Sequence, residues 1–121
     1  MLVIRDVQNQ ALAQHRQQQF IQEMIENLQH SYADHLLLQK IDEDNIKDFV
    51  TSGIQHARNY EIRSRSNVKL FLECMAEFGE IFYADESLDW CVEIMCDSTL
   101  SGEEKMDAID ESLVLLEMDV S

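Results

Sequence analysis

An all-α protein is the prediction, and three observations carry it. The 121 residues contain no proline and only three glycines, Gly53, Gly79 and Gly102, so the residues that break helices from within are almost absent. Apolar residues recur at three- and four-residue steps in every long segment, whereas no alternating run of strand length appears. The length fits one core better than two, which predicts a single domain over residues 1–121. Five to six helices with short connections then predict antiparallel, globular packing.

The first helix is expected from about Asp6 to His30. Val7, Ala11, Phe20, Ile21, Met24, Ile25 and Leu28 give it one apolar face, and the run "QHRQQQ" inside that pattern reads as a solvated stretch. "YADHLLLQKI" is short and apolar and reads as a turn of helix folding back under the first. Asp42 is placed to cap the next helix, with Glu43, Asp44 and Asp48 near the positive end of its dipole. Ile46, Phe49, Val50, Gly53, Ile54 and Ala57 follow at helical spacing, and Gly53 on that stripe predicts the close approach of another helix. "NYEIRSRSN" reads as a solvated connector ending at a serine cap, Ser64 or Ser66. A helix from Arg65 to Glu80 places Val68, Phe71, Leu72, Met75, Phe78, Gly79 and Phe82 on one stripe. Another begins near Ser87 and buries Leu88, Cys91, Ile94 and Met95. In "SGEE", Ser101 and Glu104 form a capping box opening a last helix with apolar Met106, Ile109, Leu113 and Leu116.

Motifs that carry chemistry are missing where they would be expected. "DEDNIKD" alternates acids, yet counting from Asp42 the sixth position is Lys47 and the twelfth is Gly53, so the glycine and glutamate of a calcium loop are absent. His15, His30, His35 and His56 stand 15, 5 and 21 residues apart and form no i, i+3 or i, i+4 ligand pair. There is no glycine-rich phosphate loop and no nucleophile elbow. Cys74, Cys91 and Cys96 have no zinc or disulfide spacing and are expected as buried, reduced thiols. Cys91 in an acidic neighbourhood lacks the electropositive setting a thiolate needs. No cofactor, no metal and no catalytic residue is predicted. An enzyme of unrecognised type stays open as a distant alternative.

Charge is the strongest compositional signal. The net charge is -15, and it is unevenly spread: residues 1–60 carry five Lys or Arg against eight Asp or Glu, residues 61–121 four against sixteen. From Leu70 onward Lys105 is the only basic residue against fifteen acids. Such a chain repels nucleic acid and anionic membranes, and the short basic run Arg58, Arg63, Arg65 and Lys69 does not outweigh it. No stretch approaches the roughly 20 apolar residues of a membrane span, and the N-terminus lacks a secretory apolar region. A cytoplasmic protein is expected. Its acidic half is either solubilising or complementary to a basic protein partner, which opposed charge would steer and select.

The stretch "FGEIFYADESLDW" concentrates these signals. Phe78, Phe82 and Trp90 are expected in the core, with Tyr83, Asp85, Glu86 and Asp89 facing a partner. The acidic helix from Glu103 to Glu117 is the second candidate surface, through Glu103, Asp107, Asp110 and Glu111.

This corner, the start "MLVIRDVQ" and the middle "SGIQHARNYEI" resemble a family of small helical proteins encoded beside effectors of bacterial type VI secretion systems. The residues in common are Ile4 and Arg5; Gly53, Ala57 and Tyr60; and Phe78, Gly79, Phe82, Asp85 and Trp90. The chain lacks that pattern's proline before the tryptophan. The resemblance implies an accessory role and no active site: a chaperone or adaptor for a secreted effector, or alternatively an immunity protein that neutralises a cognate toxin.

Overall fold

The structure is a computed structural model that describes the backbone of residues 2–118 and the side chains of residues 12–115. Among the described residues six α-helices follow one another: α1 Leu2–Ser31, α2 Ala33–Leu38, α3 Ile46–Asn59, α4 Arg65–Phe78, α5 Asp89–Met95 and α6 Gly102–Met118, with a 3-10 turn at Phe82–Ala84 between α4 and α5. There is no strand among the described residues. The all-α prediction is correct.

α1 starts four residues ahead of the predicted Asp6, because nothing in Leu2–Arg5 interrupts a helix. Every side chain from Leu12 to Gln19 is exposed, and burial begins at Phe20 and Ile21. The predicted packing of Val7 and Ala11 lies outside the described side chains. From Ile21 onward the apolar face of α1 packs on α2, α3 and α4. In α2 only Leu36 is buried, while Leu37 and Leu38 are 76% and 83% exposed.

Two helices end in the same device. At the end of α2, Ile41 N donates to Leu36 O and Lys40 N to Leu37 O, with Lys40 at φ 60°. At the end of α3, Ile62 N donates to Ala57 O and Glu61 N to Arg58 O, with Glu61 at φ 63°. Both are Schellman closures whose left-handed residue is not glycine. The second overturns the reading of "NYEIRSRSN" as wholly solvated, since it drives Ile62 into the core, where it is fully buried.

The N-cap of α3 is Asn45 and not the predicted Asp42, which instead closes the turn leading into the helix. The Asp42 carboxylate accepts from Asp44 N and Asn45 N, Asn45 Oδ1 accepts from Asp42 N in return, and α3 opens at Ile46. Gly53 lies where α3 crosses α4, and a Cβ built there would fall on Leu72 Cδ2 and 2.7 Å from Met75 Sδ. Ser64, one of the two predicted caps, accepts from Asn67 N at 3.3 Å.

α4 is the central helix, touched by α1, α2, α3, α6 and the 3-10 turn. Its buried arc therefore widens beyond the predicted stripe to take in Cys74 and Ala76. It ends at Phe78, short of the predicted Glu80, because Gly79 turns the chain at φ 122°, a conformation open to glycine. Carbonyls of its last turn, at fully buried residues, are met from elsewhere: Gln39 Nε2 donates to Met75 O at 3.0 Å and to Ala76 O at 2.7 Å. α5 starts two residues after Ser87, since Asp85 Oδ1 holds Ser87 N and Oγ in a turn. Ser101 and Glu104 form the predicted capping box, Glu104 N donating to Ser101 Oγ and Ser101 N to Glu104 Oε1. Met106 and Ile109 are fully buried behind it. Leu116 lies outside the described side chains.

Candidate functional site

The corner after α4 is built on aromatic packing. Phe82 is fully buried with its ring centroid 5.0 Å from that of Phe71. Tyr83 does not project from the surface as predicted. Its ring stacks on Phe71 at 5.8 Å and 23°, meets Phe82 and Tyr60 edge-on at 5.5 Å each, and lies 5.8 Å from His56. The reason is topological, because the 3-10 turn folds this residue back over α3 and α4, and sequence spacing does not announce that return. Desolvation, with the Glu80 charge adding to it, raises the Tyr83 phenol pKa. Phe78 and Trp90, predicted as core, are half-buried and meet edge-on at 6.1 Å on the rim of the same corner.

The acids of the corner separate by role. Glu86 and Asp89 are exposed. Asp85 is half-buried and occupied by Ser87, whose hydroxyl and amide hold its carboxyl below the ordinary range. On α6, Asp107, Asp110 and Glu111 are exposed and stand at i, i+3 and i+4 on one helical face. α5 packs on α6, so these acids and those of α5 sit on neighbouring helices.

Glu103 does not belong with them. Its carboxylate is turned onto the N-terminus of α4, where it accepts from Arg63 N at 2.6 Å, Ser64 N at 2.8 Å, Ser64 Oγ at 2.7 Å and Asn67 Nδ2. These donors lower its pKa from 4.5 to about 2, the Ser64 hydroxyl foremost. An acid at the start of one helix thus caps another, and only the fold reveals it. Gly102 explains how the two meet: a Cβ there would strike Tyr60 O and stand 2.6 Å from Glu61 O, so α6 begins flush against the backbone joining α3 to α4.

Nucleophilic chemistry finds little to work with. Burial pushes the Cys91 thiol up to about 11 and raises that of Cys74 as well, the direction opposite to an activated thiolate. Cys96 is exposed, contrary to the expectation that all three thiols are buried. Ser52 Oγ lies 3.2 Å from His56 Nε2, but no carboxylate orients that imidazole among the described residues. No group of three His, Cys, Asp or Glu able to hold a metal occurs among the described residues. No described helix is long and apolar enough to cross a membrane.

What the arrangement offers is charge at a surface. Among the described residues the one ion pair joins Arg65 to Glu23, far along the chain from the acids of α5 and α6. Compared with protein-family models, with curated proteins and with solved structures, the chain matches none.

Proposed function

We propose that the chain is a non-catalytic protein-binding module that receives a basic surface of its partner on the acids of α5 and α6, and that it serves as a chaperone or adaptor for a type VI secretion effector. One observation carries the binding reading: Asp89 on α5 and Asp107, Asp110 and Glu111 on α6, two helices that pack together, and Glu86 in the turn just before α5 are exposed and carry no ion pair among the described residues. Opposed potentials of this kind accelerate encounter with a basic partner and disfavour acidic competitors. The assignment to secretion rests on the sequence resemblance at the N-terminus, in α3 and at the corner.

The partner-facing set is smaller than the sequence suggests, since Tyr83 is taken by the aromatic cluster and Glu103 by the α4 cap. The test is affinity capture from the producing cell with the native chain and with a Glu86→Lys, Asp89→Lys, Asp107→Lys, Asp110→Lys variant. The native chain is expected to retain one basic protein, and the variant to lose it while keeping its helical spectrum. Equal capture by both chains would sink the reading. Loss of effector secretion on deleting the gene marks an adaptor, whereas protection of a cell expressing the isolated toxic domain marks an immunity protein.

A further inference from the structure

Against the acidic majority of the chain, one face collects the opposite charge. A groove of about 420 Å³ opens where α1 meets α3 and the start of α4, with Phe20, Ile54 and Ile62 in its apolar lining and Arg16, Arg58 and Arg63 on its rim. Those three arginines come from three separate elements and make no ion pair among the described residues. Arg65 closes one side, paired with Glu23 and with its guanidinium 5.2 Å from the Phe20 ring centroid. The depression continues past Phe20 and Arg65 towards Lys69, so its α1 wall runs from Gln17 to Met24. At 1.5 Å per residue that wall is about 10 Å long.

The chain itself carries a matching surface. Along α6 the acids Asp107, Asp110 and Glu111 continue, at i+7 and i+8, into Val114 and Leu115, which are 50% and 56% exposed. This stripe is about 12 Å long, acidic at one end and apolar at the other. α6 packs on α4 and α5 and makes no packing contact with α1, so the stripe and the groove are separate surfaces of one molecule.

We infer that the groove receives α6 of a second copy of this chain, with Asp107, Asp110 and Glu111 set against Arg16, Arg58 and Arg63, and Val114 and Leu115 against the apolar lining. A pair related by a two-fold axis makes this contact twice and closes at two copies. The net charge of -15 opposes association at long range, but at physiological salt the Debye length of about 8 Å leaves the local pairing to decide. Self-association needs no effector, so its failure is distinct from failure of the reading above. It also predicts competition, because a basic partner that takes Asp107 and Glu111 displaces the second copy.

Sedimentation equilibrium at about 0.15 M salt and up to about 1 mM protein tests it. The native chain is expected at twice 14.1 kDa. An Arg58→Glu, Arg63→Glu variant and an Asp107→Arg, Glu111→Arg variant are each expected to be monomeric, since either places like charges across the contact. Mixed in equal amounts they are expected to recover the dimer, because both contacts of the mixed pair again join opposite charges. A native chain monomeric throughout, variants that still dimerise, or a mixture that stays monomeric overturns the inference. So does a monomeric chain that captures an acidic protein through Arg58 and Arg63, which gives the groove to another partner.

Discussion

At Lys40 and Glu61 the backbone turns left-handed under side chains that gain nothing from it. Both residues are exposed, and both stand at the position of a Schellman closure that glycine fills best. The left-handed conformation costs an L-residue about 1–2 kcal/mol, part of which glycine returns through its freer unfolded chain. Lys40→Gly and Glu61→Gly are therefore each expected to stabilise by about 1 kcal/mol, read as a higher denaturant midpoint at unchanged slope. Glu103 works in the opposite sense, because its ionised carboxylate satisfies donors at the start of α4. Its folded pKa is depressed to about 2 from 4.5, so its contribution is complete above pH 4.5 and disappears as pH falls towards 2. Glu103→Gln is expected to cost about 1–2 kcal/mol at pH 7, solvent screening keeping it from more. Denaturation curves of the native and variant chains should then converge near pH 2. A gap that persists there assigns the cost to shape and not to charge.

Elements dock here through glycines, and the two that do so differ in what they face. Gly53 lets α3 approach α4 over the ends of Leu72 and Met75, atoms that move with side-chain rotation. Gly102 sets α6 against the backbone of Tyr60 and Glu61, which cannot turn aside. Gly53→Ala combines an overpacking cost of about 1–3 kcal/mol with about 1 kcal/mol recovered in helix propensity, so a net loss of about 1 kcal/mol is expected. Gly102→Ala should lose about 3 kcal/mol, although it sits at the start of a surface helix. Equal losses in the two variants would show that α6 does not rest on the α3–α4 connection.

Across the whole molecule, like charge is stored with little to offset it. The net charge is -15, and the single ion pair among the described residues is the exposed Arg65–Glu23 contact. Self-repulsion destabilises the compact state, and salt screens it. Raising ionic strength from about 0.01 M to 0.15 M at pH 7 is expected to add about 1 kcal/mol, or about 4 °C in Tm. A Tm that falls with salt would mean that attractive pairs outweigh repulsion. The same polarity divides the surface, with exposed acids on α5 and α6 and, around the α1 groove, arginines that, apart from Arg65, make no ion pair among the described residues. The proposed adaptor draws on the acidic surface alone, the proposed dimer on both.

Local signals made much of this fold legible. The capping box at Ser101, the Ser64 cap, the stripe of α3 and the close approach at Gly53 depend on residues a few positions apart, whose geometry a helix fixes by its period alone. The acidic half was equally plain, since charge needs no fold to be counted. Position in space was decided by tertiary structure. Ile62 is in the core because a left-handed residue turns the chain inward, Tyr83 is withdrawn by the 3-10 turn, and Glu103 is spent on a helix that begins 38 residues before it. Gln39 meets carbonyls of α4 that are 36 and 37 positions away, and Arg16 joins Arg58 and Arg63 around one groove. Such long-range pairings depend on how the helices pack, and a side chain's periodicity records only that it faces its neighbours, not which neighbours they are.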